Sequence, residues 1–410
     1  MKGLRILATL HRYPPLTGGA EMHTYWLLNA IANENHVLMF ARETDPTRAE
    51  YEEREVESAR FRVRLINVAK RNPFWAYYRD GMVEEKFKHL ITAFKPDIVF
   101  IGHTVGLSAA LIEIAADSGV PTLVHLRDFF YTCHRLFLLK SDSSLCSGPL
   151  DGSKCAECMA PDLKVAKNNE ALAPGVERTQ YMKHVLNKAN LLFAHSTFLA
   201  QKYVEFGVPV HKVRVVEGGI DMNGLSQNYH RTTAERLRFG YLGTISLMKG
   251  VANLIDAFVK LPRDGSELHI HGSTPNNQYL DQLKRRAEAH RVYFHGEYDR
   301  NRIGEVLSNI DVLVHPSIVP EAYSLTIREA FAANIPVIVS NLRAQSDAVQ
   351  NGVNGLHFKA GVTEDLRRKM RLLADNPSVV SDFRKKMPPV RSIENQATEI
   401  KSILLQLCES

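Results

Sequence analysis

Two glutamates in the last quarter of this 410-residue sequence stand where a loop turns into a helix. Glu321 follows a strand-like run and a proline-rich loop, and Glu329 lies inside the helical pattern that comes next. Ser324 is a residue type that caps helices, so the backbone N–H groups of Ser324, Leu325 and Thr326 could hold a phosphate. A carboxylate accepts two hydrogen bonds from vicinal hydroxyls, so one glutamate could bind a ribose and the other a sugar ring. The alternative is two solvated surface glutamates.

The strands around this segment favour the ligand-binding interpretation. Predicted strands at 311–315 and 336–340 flank the helix, and such βαβ units bind ligands at the carboxyl ends of their strands. The segment resembles the Glu-x7-Glu signature of the retaining glycosyltransferases of family 4, and it continues as expected through the run 351–356. The resemblance implies that Glu321 contacts a donor sugar, that Glu329 contacts the nucleotide ribose, and that the amides between them contact the diphosphate.

Paired glycines form a second cluster at the start of the chain. Gly18 and Gly19 follow the first predicted strand and open a helix, where a backbone can approach a ligand closely. An ordinary glycine turn is the alternative. The string from Tyr13 to Glu21 resembles the glycine-rich loop of family 4. The resemblance implies that Gly19 faces the donor diphosphate across a cleft between two domains.

The third candidate is a single lysine near the start of the second predicted domain. Lys249 ends a polar loop between a strand and a helix, where an ammonium could stabilise a departing nucleoside diphosphate. A solvated lysine is the alternative. The family pattern carries an arginine five residues before this lysine, but Thr244 stands at that position here. Backbone amides or another basic residue must therefore supply the missing second cation, or the leaving group is held less strongly.

A further set of polar residues follows predicted strands of the first half. The family commonly shows a His-Asp pair facing the donor sugar and the acceptor, whereas this chain has Arg127 before Asp128. Since arginine cannot act as a base, Arg127 would stabilise charge or bind an anionic acceptor. His103 ends another strand and is expected to line the cleft. His125 and Ser196 are expected to be structural, with Ser196 capping a helix.

Four of the five cysteines fall within one insertion at about residues 131–175, which otherwise has little apolar content. No secretory signal precedes them, so the thiols are expected to be reduced. The closing Cys-x2-Cys pair and the glycine-proline loop before it favour a structural zinc site with four thiolates. Four unrelated cysteines and an iron–sulfur cluster are the alternatives. The proposed ligands are Cys133, Cys146, Cys155 and Cys158.

The composition is that of an ordinary globular protein, with 45% hydrophobic and 23% charged residues. A net charge of +6 suits an anionic donor or acidic lipid headgroups, and no dense basic tract indicates nucleic-acid binding. No run approaches the roughly 20 apolar residues that span a bilayer. We therefore expect a cytoplasmic protein, with the inner face of the membrane as a further expected site and no nucleic acid among its partners.

Strand-length apolar runs alternate with amphipathic segments along the whole chain, which predicts an α/β fold with parallel sheets. Predicted strands lie at 4–10, 36–41, 62–67, 97–102, 121–126, 191–195, 213–217, 237–243, 267–271, 292–295, 311–315, 336–340 and 356–358. Predicted helices lie at 19–33, 81–94, 106–118, 177–189, 197–206, 250–260, 277–289, 301–308, 324–333, 363–375, 378–387 and 393–407. Two sets of strands indicate two doubly wound, Rossmann-like domains, the arrangement called GT-B.

The expected domains are residues 1–222, on the acceptor side, and residues 223–389, which bind the nucleotide sugar. A linker is predicted at 226–235, and the resemblance implies that residues 390–410 pack back on the first domain. Taken together, these features predict a retaining glycosyltransferase with a nucleoside diphosphate sugar donor and a saccharide or lipid-linked acceptor. Polysaccharide or lipopolysaccharide assembly is an expectation from the family alone.

Two other functions are consistent with the same sequence. One is an epimerase-like enzyme of the same fold, and the other is a nucleotide-sugar-binding pseudo-enzyme, which Thr244 and Arg127 suggest. We expect no catalytic metal, because the sequence contains no Asp-x-Asp pattern of the kind that holds a divalent ion beside a diphosphate.

Overall fold

The computed structural model describes residues 3–13, 18–69, 78–142, 144–165, 168–225, 235–274 and 276–409. Residues 14–17 of the glycine-rich string and 226–234 of the predicted linker lie outside these ranges. The chain divides into two compact units. Unit 1 comprises residues 1–219 and 393–410, and unit 2 comprises residues 220–392.

The described part of unit 1 contains an eight-stranded sheet. Its strands are β1 (Arg5–Leu10), β2 (His36–Glu43), β3 (Glu53–Glu57), β4 (Arg62–Asn67), β5 (Ile98–Ile101), β6 (Thr122–Leu126), β7 (Leu191–Ala194) and β8 (Val213–Val215). They lie in the order β3-β4-β2-β1-β5-β6-β7-β8, and β3 pairs antiparallel with β4 while the other pairs are parallel. The carboxyl ends of β1, β5, β6 and β7 therefore meet at one edge.

Helices cover this sheet, and the last of them comes from the end of the chain. The helices are α1 (Gly19–Ile31), α2 (Gly81–Phe94), α3 (Ala110–Asp117), α4 (Ala156–Leu163), α5 (Leu172–Lys188), α6 (Thr197–Phe206) and α13 (Ile393–Glu409). Ile400 and Leu404 of α13 are fully buried in one apolar cluster with Leu27 of α1 and Ile6 of β1. The last helix is therefore part of the core of unit 1.

Unit 2 contains a six-stranded parallel sheet within the described residues. Its strands are β9 (Leu237–Leu242), β10 (Ser266–His271), β11 (Val292–Gly296), β12 (Val312–His315), β13 (Val337–Ser340) and β14 (Gly355–Phe358), in the order β11-β10-β9-β12-β13-β14. Its helices are α7 (Val251–Phe258), α8 (Asn277–Ala287), α9 (Ile303–Ser308), α10 (Leu325–Ala332), α11 (Thr363–Asp375) and α12 (Pro377–Arg384).

Both faces of the unit 2 sheet are buried. Side chains alternate between the faces of a strand, and successive residues of β12 and β13 enter two different apolar clusters. Val312, Val314 and Ile338 belong to one cluster, whereas Leu313 and Val337 belong to the other. Burial on both faces explains why these strands read as continuous apolar runs.

The predicted strands and helices are present with ends shifted by a few residues, and the larger differences lie in unit 1. The charged edge strand β3 was not predicted, because Glu53–Glu57 lacks an apolar pattern. Helix α5 begins at Leu172 instead of residue 177. The insertion contains the helix α4, and Leu138, Met159 and Ala160 are buried, so the expectation of little apolar content there was wrong. Within the described chain, no helix is long and apolar enough to cross a membrane.

Candidate active site

The site in unit 2 is built from two loops at the carboxyl ends of neighbouring strands. A short turn at Leu247–Lys249 follows β9, and the loop after β12 packs against it. Ile318 N donates to Met248 O at 2.9 Å across the two loops. Gly250 has φ +69°, and a Cβ there would lie 2.0 Å from the carbonyl oxygen of Pro316. Only glycine allows this approach, which brings Lys249 beside the loop that carries Glu321.

Lys249 and Glu321 form an ion pair, with Nζ 2.7 Å from Oε1. The Glu321 side chain is 12% exposed and the Lys249 side chain 33% exposed. Burial by itself raises the pKa of Glu321, but the ammonium of Lys249 and the neighbouring His315 hold that pKa well below its usual range. The carboxylate is therefore ionised at neutral pH, and it stands beside a cation.

His315, which was not predicted from the sequence, lies at the centre of this group. Its Nε2 lies 3.1 Å from the Ser324 hydroxyl and 3.4 Å from Glu321 Oε2. As the last residue of β12, His315 stands at the strand end where ligands bind in such sheets, and this position was an available signal. Ser324 caps α10 as predicted, accepting from Ile327 N.

Gln345 was also missed, and it holds the loop that carries Glu321. The side chain is 1% exposed, and its Oε1 accepts from the backbone N–H of Glu321 at 2.8 Å. Its Nε2 donates to Val319 O at 3.0 Å. Because the amide oxygen and nitrogen both form hydrogen bonds to the loop that carries Glu321, this loop, called the glutamate loop, is fixed at two points. No local pattern marks this role.

Glu329 lies within α10 and is 2% exposed, so it is not the solvated surface residue of the alternative interpretation. Arg300 Nη2 donates to its Oε1 at 2.6 Å. Within the described residues, Oε2 of Glu329 is buried without a hydrogen-bond partner. Leu325 and Thr326 form the first turn of α10 and are half-buried, with their amides at the helix start. A buried carboxylate oxygen with unused acceptor capacity suits a hydroxyl ligand.

Thr244 is exposed and brings no charge to the site. Its carbonyl oxygen accepts from the hydroxyl of Tyr241 at 2.7 Å. Burial raises the pKa of Tyr241 well above its usual value, and the nearby Glu321 adds to the rise, so this phenol stays neutral. The basic groups beside Glu321 in the described chain are therefore Lys249 and His315.

In unit 1, His103 and Asp128 come together from the ends of β5 and β6. His103 Nδ1 accepts from the backbone N–H of Val105 at 3.0 Å, so the ring proton is on Nε2 in the neutral form. Nε2 lies 3.1 Å from Asp128 Oδ2 and donates to it. The Asp128 side chain is 35% exposed while His103 is 3% exposed, so solvent reaches the carboxylate and not the ring.

Arg127 lies next to this pair and makes its contacts inside unit 1. Its Nε donates to Gly102 O at 3.2 Å, and its Nη2 lies 3.3 Å from His23 Nδ1. Because a guanidinium only donates, Nδ1 of His23 accepts, and Nε2 donates to Gln396 Oε1 at 2.9 Å. Burial lowers the pKa of Arg127 to about 9, so the group keeps its charge at neutral pH.

Gly18 caps α1 and Gly19 begins it, and both residues are exposed. The backbone N–H of Gly18 donates to Glu21 Oε2 at 2.9 Å, and His11 Nε2 lies 2.9 Å from Glu21 Oε1. Burial, together with the charge that His103 can carry, lowers the pKa of His11 to about 4. His11 and Glu21 were not predicted as site residues, although Glu21 lies in the predicted loop-to-helix string.

The remaining residues that were singled out have structural contacts. His125 is 1% exposed and its Nε2 lies 2.8 Å from His195 Nε2, while Ser196 caps α6 by accepting from Leu199 N at 3.2 Å. The four cysteines of the insertion are free thiols of intermediate exposure. In the described part of the chain, no three His, Cys, Asp or Glu side chains stand ready to hold one metal ion.

Comparison with known proteins agrees with this architecture. The family model described as Glycosyltransferase Family 4 matches residues 17–223, and the model described as Glycosyl transferases group 1 matches residues 227–388. Since the first model alone covers half of the chain, the chain belongs to glycosyltransferase family 4.

Relatives and solved structures are similar at low identity. An uncharacterized glycosyltransferase of Methanocaldococcus jannaschii is 22% identical over 202 residues, which are 47% of this chain and 52% of that protein. A second protein of the same organism is matched over 42% of its length, so the matches span about half of these curated relatives.

Two solved structures cover nearly the whole chain. HepE of Anabaena, in complex with UDP and glucose, has a TM-score of 0.67 at 16% identity, covering 98% of this chain and 100% of that one. Sucrose-phosphate synthase of Thermosynechococcus elongatus has a TM-score of 0.70 at 17% identity, covering 98% and 99%. The fold is GT-B.

Proposed function

We propose that this protein is a retaining glycosyltransferase that moves a sugar from a nucleoside diphosphate donor to a saccharide or lipid-linked acceptor. The observation that carries the proposal is the pairing of Lys249 with Glu321, which His315 links to Ser324 at the start of α10. A cation, a helix N-terminus and an ionised carboxylate are the groups that a diphosphate and a sugar hydroxyl require. Family membership is consistent with this assignment.

In the proposed reaction, the bond between the anomeric carbon and the diphosphate oxygen breaks, and its electron pair leaves with the diphosphate. Lys249 and the amides of Ser324, Leu325 and Thr326 stabilise the charge that develops on this leaving group. The acceptor oxygen forms the new bond to the anomeric carbon on the face from which the diphosphate departs. The proton of the acceptor hydroxyl passes to a phosphate oxygen, so no enzymic nucleophile is needed.

Two carboxylates are assigned to the two ends of the donor. Glu329 would accept from a ribose hydroxyl at Oε2, which is buried without a partner in the described residues, while Arg300 donates to the other oxygen. Glu321 would contact a hydroxyl of the transferred sugar. When the donor binds, Lys249 would shift part of its interaction from Glu321 to the diphosphate.

The polar residues of unit 1 are assigned to the acceptor and the sugar. Asp128 is the exposed member of its pair, and His103 orients it through Nε2–H. Arg127 contributes a fixed positive charge, and the amide of Gly19 at the start of α1 is a candidate for binding an anion. A lipid-linked acceptor would bring the protein to the inner surface of a membrane, which the net charge of +6 would favour.

The test begins with the donor. UDP-, GDP- and ADP-sugars are screened for thermal stabilisation, since a ligand at about 100 times its Kd adds about 2.7 kcal/mol. The stabilising donor is then incubated with candidate saccharides while nucleoside diphosphate release is measured. The anomeric configuration of the product is read by NMR. Retention supports the proposal, and inversion contradicts the mechanism.

The same assay separates the other two functions. Isomerisation of the donor without an acceptor would indicate an epimerase-like enzyme. A donor that binds but is neither transferred nor hydrolysed, with every acceptor class tried, would indicate a pseudo-enzyme, in line with the absence of the usual arginine at Thr244.

A further inference from the structure

The segment 133–158, named here the cysteine loop, carries four thiols on four different local structures. Cys133 lies in a turn after β6, and Cys146 ends a small hairpin. Cys155 ends a short 3-10 helix at Ser153–Cys155, and Cys158 lies in the first turn of α4. All four side chains are free thiols of intermediate exposure. None of them is used by the proposed glycosyl transfer.

Backbone contacts bring these four positions toward one another. Leu139 and Leu145 form an antiparallel bridge, and Cys146 N donates to Leu138 O at 2.8 Å, so the hairpin returns the chain to the turn that contains Cys133. Gly152 has φ +102°, and a Cβ there would lie 2.3 Å from the carbonyl oxygen of Gly175. This close packing on α5 needs glycine and fixes the start of the Cys-x2-Cys segment.

Backbone amides point at two of the sulfurs. Gly148 N donates to Cys146 Sγ at 3.4 Å. The backbone N–H groups of Leu138 and Arg135 donate to Cys133 Sγ. A neutral thiol is a weak acceptor, whereas metal-bound sulfur benefits more from such donors. The turn geometry therefore suits metal-bound sulfur.

Helix α5 links the two ends of the cysteine loop. A Cβ at Gly175 of α5 would lie 3.6 Å from Cys155 Cβ. Arg178, three residues further along α5, donates to the carbonyl oxygen of Phe130, in the turn where Cys133 N donates to Phe129 O. Cys155 and the turn that contains Cys133 therefore pack against the same stretch of α5.

An independent observation is the buried cation beside the cysteine loop. Arg178 of α5 is 4% exposed, and its Nη2 donates to the carbonyl oxygen of Phe130. No carboxylate of the described chain pairs with this guanidinium, which lies over the rings of Tyr78 and Phe130. A buried arginine normally has an anionic partner. Four thiolates around Zn²⁺ carry a net charge of about −2 and would supply it.

We propose that Cys133, Cys146, Cys155 and Cys158 bind one Zn²⁺ in a structural site whose negative charge is offset by Arg178. Within the described residues the side chains do not yet stand in coordinating positions, so binding would draw the thiols inward over a backbone that already converges. Four ligands fill the tetrahedral shell and leave no open position for catalysis.

The ion would fix the turn that carries Asp128. Cys133 N donates to Phe129 O at 2.6 Å, and Phe130 N donates to Asp128 Oδ1 at 2.8 Å. Tyr203 OH donates to Asp128 O at 2.7 Å. The first ligand is thus one hydrogen-bonded turn from the carboxylate, and the site would hold Asp128 in place without touching substrate.

The test measures metal in protein purified without an affinity tag. We expect about one zinc per chain by elemental analysis, and loss of that zinc in Cys155→Ser and Cys158→Ser. Cys408→Ser is the matched control, because Cys408 lies in α13 outside the cysteine loop, and it should keep full zinc content. Exchange with Co²⁺ should give the intense visible absorption of a tetrahedral thiolate complex.

Hydrogen exchange then tests the structural role. Removing zinc with a chelator should increase exchange in residues 131–175 while the sheet of unit 2 stays protected. Zinc that survives in both Cys→Ser variants, iron in place of zinc, or a metal-free protein with an equally protected loop would each overturn the proposal. Because none of these readouts depends on turnover, they stand whether or not the proposed transferase activity is found.

Discussion

Lys249 Nζ and Glu321 Oε1 lie 2.7 Å apart, although 72 residues separate them in the sequence. The pair forms because β9 and β12 are neighbours in the unit 2 sheet and end at the same edge. In this geometry the ammonium of Lys249 holds the pKa of Glu321 well below its usual range, and His315 links that carboxylate to Ser324 at the start of α10.

The first prediction concerns the cation. Lys249→Ala should lower kcat by at least about a hundredfold, because it removes the positive charge that stabilises the leaving diphosphate. Lys260→Ala is the matched control, since Lys260 is an exposed lysine just after α7 and should leave kcat unchanged. Near-wild-type transfer by a well-folded Lys249→Ala protein would rule out the assignment.

The second prediction separates the two glutamates. Glu329→Gln should mainly raise the Kd for the nucleoside diphosphate, because a ribose contact exists before and during the reaction. Glu321→Gln should mainly lower kcat, since its partner is the reacting sugar. Isothermal titration gives the first quantity and steady-state kinetics the second. If both changes have equally small effects, neither glutamate contacts the donor and their role is structural.

The third prediction concerns His315, which contacts both Glu321 and the Ser324 hydroxyl. His315→Phe keeps the ring and removes the nitrogens, so we expect a lower kcat with little change in thermal stability. His315→Gln places an amide near the same position and should restore part of the activity. If the two variants are equally impaired, the nitrogen contact is not the important feature.

The fourth prediction concerns Asp128 of unit 1. Asp128→Asn removes the charge but keeps the shape, so transfer to the acceptor should fall by roughly tenfold or more while donor affinity is unchanged. His103→Gln should reproduce a smaller part of this loss, because His103 only orients the carboxylate. A change confined to donor affinity would contradict the assignment to the acceptor side.

The fifth prediction is a loss of stability in acid. His271 is buried at the end of β10, and burial, with repulsion from His295 and His269, lowers its pKa to about 3. Its unfolded value is near 6.5, so below that pH the unfolded chain binds the proton that the folded chain excludes. Stability should therefore fall by about 1 kcal/mol from this residue between pH 7 and 5.5.

The measurement for that prediction is thermal unfolding at the two pH values. In His271→Asn the shift of the unfolding midpoint between pH 7 and 5.5 should be smaller than in the wild type. His211→Asn is the control, because His211 is exposed and its replacement should leave the shift unchanged. An undiminished shift in His271→Asn would assign the acid sensitivity to other buried histidines.

Local patterns were enough to predict most of the elements. The alternation of strand-length apolar runs with amphipathic segments predicted the order of strands and helices, because periodicity and capping are properties of neighbouring residues. The capping roles of Ser324 and Ser196 follow from the same kind of signal. The charged edge strand β3 and the helix α4 were not predicted, since neither has a clear apolar periodicity.

What the sequence by itself determined is therefore the series of elements and the loops that carry polar residues. Only the tertiary structure decided which of those residues meet: Arg300 with Glu329, His315 with Glu321, and Gln345 with the glutamate loop. These pairings depend on strand order, which places β12 beside β9 although β10 and β11 come between them in the chain. Strand order results from packing of the whole sheet, so it cannot be read from the local sequence pattern around any single residue.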